Sequence, residues 1–91
     1  MENLKVIFRK DKDGEIIAFL PEIKVRHGNI MSYMHIGQHG EASYDYYVQD
    51  TNKAAPKEYK VLLDELNGIY SDCKLIVKQK LHYNDLIKAW K

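Results

Sequence analysis

The sequence predicts an α+β fold: an antiparallel sheet of three to five strands with one main helix packed on one face, in the order β-β-β-(β)-α-β-(α). Three observations carry this. Short runs of β-branched and aromatic residues crowd the first half of the chain, the first two flanking Asp13-Gly14. An apolar stripe with helical period follows on Tyr59, Leu62, Leu63, Leu66 and Ile69. A single β-type run, Leu75-Ile76-Val77, comes after it. Strands grouped ahead of one substantial helix indicate α+β rather than a series of β-α-β crossovers.

The first strand is read over Leu4–Arg9, with Leu4, Val6 and Phe8 on one face and Lys5, Ile7 and Arg9 on the other. The second spans Glu15–Leu20. Asp13-Gly14 between them is a hairpin signal, because glycine takes positive φ without steric cost. Strand two is apolar on both faces, which places it centrally or under cover, and Pro21 ends it by removing a ladder donor. Residues 22–29 form a polar connection containing Gly28. Ile30–Ile36 alternates Ile30, Ser32, Met34 and Ile36 against Met31, Tyr33 and His35, a third strand stopped by Gly37-Gln38-His39-Gly40. Residues 44–49 are β-prone and read as a fourth strand or an irregular edge. Thr51–Ala55 leads into the helix.

Pro56 suits a first helical turn, where its missing N–H has no partner to lose. The stripe then runs to Ile69, while Lys57, Glu58, Lys60, Asp64 and Glu65 fall off it. Gly68 stands where a left-handed C-terminal residue belongs, with Ile69 and Tyr70 able to prolong the last turn. Cys73–Lys80 is the last strand. Asn84 is placed to cap a short helix through Trp90, with Leu86, Ile87 and Trp90 on its apolar side.

Residues 1–91 read as a single domain. Apolar residues make up 45% of the chain and charged residues 30%, which excludes a disordered or fibrous chain. The longest apolar run, Ile16–Leu20, falls far short of the roughly 20 residues of a transmembrane helix, so no membrane partner is expected. The start of the chain has no signal-peptide pattern, and one cysteine, Cys73, allows no internal disulfide; both agree with a cytoplasmic setting. A net charge of +1 argues against nucleic acid as the partner. The charge is unevenly spread: Glu41, Asp45 and Asp50 mark an acidic, tyrosine-rich middle, whereas Lys74, Lys78, Lys80, Lys88 and Lys91 mark a basic end that faces solvent or an anionic partner.

The densest group of functional side chains is Tyr33, His35, Gln38 and His39, with Tyr44 close by in a chain of seven tyrosines. Tyrosine gives rigid contact area with a polar tip and is favoured at interfaces. The expectation is a non-catalytic interaction module presenting these five residues to a protein partner. An open edge strand would also allow a homodimer. The alternative is a small-molecule or metal site built around His35, Gln38 and His39. Two histidines four apart bind zinc when they share a helix face, but Gly37 and Gly40 oppose a helix here. No catalytic residue is assigned: no serine or cysteine carries the signature of an activated nucleophile. No cofactor or resident metal is expected, since the glycines form neither a phosphate loop nor a dinucleotide fingerprint.

The stretch Met31-Ser-Tyr-Met-His-Ile-Gly-Gln-His-Gly40, then Ala42, then Ala55-Pro-Lys-Glu-Tyr59 with Leu62, Leu63, Leu66 and Tyr70, resembles a family of small uncharacterised bacterial proteins, a domain of unknown function found in gut-bacterial genomes and their mobile elements. Phe8-Arg-Lys, Asp13-Gly, Ile17-Ala18, Phe19 and Pro21 extend the resemblance to about residues 6–78. It implies a freestanding cytoplasmic domain of unknown function and no mechanism; the expected interaction module is accordingly read as an accessory protein of a mobile element. Where such proteins usually carry Thr before the helix, this chain has Ala55-Pro56 and so lacks a side-chain cap; the ending after Lys80 looks individual to it.

Overall fold

The computed structural model describes residues 2–35 and 38–91, without the side chain of Gln38. The architecture is α+β, as the patterning predicts. Its strands are β1 (Glu2–Asp11), β2 (Ile16–Leu20), β3 (Asn29–Met34), β4 (Gln38–Ser43), β5 (Thr51–Lys53) and β6 (Cys73–Lys78). Its helices are α1 (Tyr44–Asp50), α2 (Pro56–Ile69) and α3 (Tyr83–Trp90). The sheet runs β4-β3-β2-β1-β5, and β6 also pairs with β1. Neighbours are antiparallel except β1 and β6, which run parallel with Leu4 opposite Leu75 and Val6 opposite Val77. Six strands exceed the expected three to five because β1 is long: β6 occupies its first half and β5 its last residues. Ile36 and Gly37, read from sequence as the end of the third strand and its stop, lie outside the described residues.

The β1–β2 connection forms around Asp11. Its Oδ1 accepts from the backbone N–H groups of Asp13 and Glu15, both at 2.9 Å, and Gly14 closes the turn at φ 86°. β2 stops at Leu20, with buried Pro21 behind it. Its burial on both faces explains its unbroken apolar sequence, because β1 and β3 flank it and helices cover both sides.

Two cores result. On one face α2 lays Leu62 and Leu66 onto Val6, Phe8, Ala18, Leu20 and Tyr33. On the other, Tyr47 of α1 and Leu86 of α3 meet Ile7, Ile17, Phe19 and Ile30. Fully burying one such leucine contributes about 1.5–3 kcal/mol. The main helix α2 covers one face, as expected, and the two short helices close the second, in keeping with the two-sided apolar sequence of β2. Lys5 of β1 pins α3 through an ion pair with Asp85 at 3.0 Å, and Trp90 Nε1 donates to the Asn29 carbonyl at 2.8 Å.

Two local expectations about the middle of the chain are also corrected. Residues 44–49 are helical rather than a strand, because the Ser43 hydroxyl accepts from Tyr46 N–H at 3.0 Å, Asp45 sits favourably in the first turn, and Tyr47 reaches Phe19 edge-on at 5.1 Å. The stretch from Gln38 to Gly40, expected to do no more than stop the third strand, instead begins the fourth. Gln38–Ser43 pairs along β3 from Met34 opposite Gln38 to Asn29 opposite Ser43, so the ladder to β3 satisfies its backbone groups.

At the ends of α2 and α3 the expected caps move. Gly68 lies within α2, and Tyr70 is the C-cap, its N–H donating to Leu66 O. α3 is entered from His82, leaving Asn84 inside its first turn. Ala55 lacks a side-chain acceptor, so α2 has only half a capping box: Glu58 Oε1 accepts from Ala55 N–H at 2.8 Å. Among the described residues no helix is long and apolar enough to cross a membrane.

Candidate functional site

Strand alternation sends Tyr33, and His35 directly after β3, toward α2, and the β3–β4 register sets His39 opposite Tyr33. Three of the residues singled out from the sequence therefore gather on one side of the sheet. Tyr33 is 1% exposed, with its ring in the α2-side core, and its hydroxyl donates to Glu65 Oε2. The other Glu65 oxygen meets His35 Nδ1 at 2.6 Å. His39 packs edge-on against the Tyr33 ring at 4.6 Å, and its Nε2 lies 3.0 Å from the Tyr70 hydroxyl. Burial pushes the Tyr70 phenol above its ordinary pKa, with the neighbouring Cys73 adding to the shift, so the group stays protonated and able to donate to that nitrogen.

The cluster is thus Tyr33, His35, His39, Glu65 and Tyr70, tying the end of the β3–β4 pair to the last turns of α2. Glu65 and Tyr70 were not among the sequence candidates. Glu65 reads as a solvent-facing helix residue, yet it lies between buried Leu62 and Leu66 in sequence, at the border of the stripe, where a side chain can reach the neighbouring strand. Its carboxylate serves one buried and one exposed donor at once. Chemically this contact at Nδ1 fixes the orientation of the His35 imidazole.

Beside His35 a groove of about 490 Å³ runs between α2 and the sheet, lined by Ile16, Met34, Val61 and Leu62 with Glu15 and Glu58 at the rim. Val61 is 69% exposed. Glu58 is committed to Lys10 Nζ at 2.6 Å as well as to the Ala55 N–H; both hold its carboxyl below the usual carboxylate range, Lys10 more strongly.

Tyr44 goes elsewhere. It belongs to α1 on the opposite face, near the rings of Tyr47 and Tyr83 at 6.2 and 5.6 Å. His27 also turns to that face, against Trp90 at 4.6 Å. The side chain of Gln38 lies outside the described residues. Among the described residues there is no group of three or more His, Cys, Asp or Glu side chains arranged to hold a metal ion.

Comparison of the chain with protein-family models, with curated proteins and with solved structures found no match in any of the three.

Proposed function

We propose that this chain is a cytoplasmic protein-binding module, an accessory protein of a mobile element, and that its docking face is the groove between α2 and the sheet together with the exposed His35 and His39, which buried Tyr33 supports from beneath. The observation that carries the reading is the groove itself: apolar walls ending in exposed Val61, with acidic and imidazole groups at the rim. Such a surface suits an apolar anchor flanked by basic residues, since the anchor loses water in the groove while Glu15 meets the flanking charge.

The test is affinity capture from the native host with wild type, Val61→Asp, His35→Ala and a remote control, Tyr44→Ala. The expected result is one partner retained by wild type and Tyr44→Ala and lost with Val61→Asp. Identical partner sets for all four proteins overturn the reading.

A second reading, a small-molecule site, draws on the His35 imidazole, which Glu65 orients at the wall of the same groove. A fragment screen followed by NMR separates the two: ligand-induced shifts of the His35 ring and Val61 methyls that disappear in His35→Ala favour the small molecule.

A further inference from the structure

Strand β6 has one neighbour in the sheet. It lies parallel to β1, and none of the described elements pairs with its outer side. In a parallel ladder alternate residues direct both N–H and C=O away from the existing neighbour, so six residues offer a row of open hydrogen-bonding groups about 20 Å long.

The two faces of this edge differ. Leu75 and Val77 pack into the α2-side core, whereas Lys74, Ile76 and Lys78 occupy the other face, and both lysines are exposed. Lys80 follows, also exposed. Where β6 ends opposite Ile7 and β5 ends opposite Arg9, a notch of about 290 Å³ opens on the α2 side. Pro56, Tyr59, Phe8 and Val77 line it, with the Phe8 and Tyr59 rings stacked at 4.3 Å.

We infer that the β6 edge takes an extended segment of a partner protein in which acidic and apolar residues alternate. Backbone hydrogen bonds supply the attachment, as in other strand-addition complexes. Side chains on one face of the incoming strand meet Lys74 and Lys78, and those on the other reach the apolar border and the notch. Lysines on an edge also repel unsuitable strands. A second copy of β6 paired antiparallel about Ile76 would set Lys74 against Lys78, so the same charges that reject self-pairing select an acidic strand. The notch shares Glu58 with the groove beside His35, but the β6 edge with Lys74 and Lys78 lies outside that groove, so substitutions at these lysines and at Val61 test the two surfaces separately.

The probe is a capped peptide alternating Glu and Val over six residues, compared with its Lys-Val counterpart and with a copy N-methylated at every second residue. Titration by calorimetry is combined with amide hydrogen exchange on the full chain. The acidic peptide is expected to bind, to protect every second amide of β6, and to weaken at least tenfold in Lys74→Glu/Lys78→Glu, a variant whose melting curve should match wild type because both side chains are exposed. Its N-methylated copy and the Lys-Val peptide should not bind. Four results each overturn the inference: no binding at millimolar peptide, equal binding of the N-methylated copy, protection elsewhere than β6, or a dimer through β6 in sedimentation.

Discussion

Replacing Tyr33 by Phe isolates the hydrogen bond that joins the candidate site to the core. The ring stays in place, 1% exposed and in contact with His39, so packing is retained and the lost group is the hydroxyl that donates to Glu65. A hydrogen bond to a charged partner contributes about 1.5–3 kcal/mol net. The Glu65 side chain is 23% exposed, so water partly replaces the lost donor and the lower half applies, about 1.5–2 kcal/mol. With a urea m-value of about 1 kcal/mol per molar for a chain of this size, the unfolding midpoint should fall by about 1.5–2 M. The assay is urea denaturation followed by circular dichroism, run as a double-mutant cycle with Glu65→Ala, which leaves a good helix former in α2. Tyr33→Phe in the Glu65→Ala background should cost at least about 1 kcal/mol less than in wild type. His35→Ala should cost under about 1 kcal/mol, because that imidazole is 63% exposed. A midpoint for Tyr33→Phe equal to wild type, or strict additivity with Glu65→Ala, would refute the linkage of the site to the core.

Leu66→Ala should destabilise by about 3–5 kcal/mol and Leu63→Ala by clearly less, since Leu66 is fully buried and Leu63 only half-buried; thermal melts showing equal losses would contradict the packing of α2. Stability should decline on acidification. Glu58 is held below the ordinary carboxyl range by Lys10 and the Ala55 N–H, and Glu41 by the Asn29 side chain and the Arg26 N–H. Their contributions are complete above the unfolded value, about 4.3, and vanish as pH falls through the lower folded values. Urea midpoints measured from pH 7 down to 2.5 should show this loss, and Glu58→Gln should make it shallower; an unchanged profile in that variant rejects the assignment. Trp90→Phe should cost about 1 kcal/mol by removing the donor to the Asn29 carbonyl, measured by calorimetry, and a neutral substitution would mean that the apolar face and the Lys5–Asp85 pair hold α3 without that bond.

The candidate site was half legible. Tyr33, His35 and His39 stand out because polar and aromatic residues cluster beside glycines, and their shared side follows from strand alternation once His39 is paired with Tyr33. Glu65 and Tyr70 did not stand out, being 30 and 31 residues from their histidine partners. Tyr44 looks like a neighbour in sequence, yet the helical turn begun at Ser43 carries it to the opposite face. Propensity favours a strand at 44–49; the Ser43 cap and the burial of Tyr47 outweigh it.

By itself the sequence determined what depends on near neighbours: the β1–β2 turn at Asp13-Gly14, the two-sided burial of β2, the apolar stripe of α2 and the α+β class. These follow from periodicity and from backbone preferences that act over a few residues. Only the tertiary structure decided which face each short helix covers, that β6 runs parallel to β1 and leaves an open edge, and that one glutamate joins Tyr33 to His35. Those are contacts between distant segments, chosen by the burial and hydrogen bonding of the whole chain rather than by any local pattern.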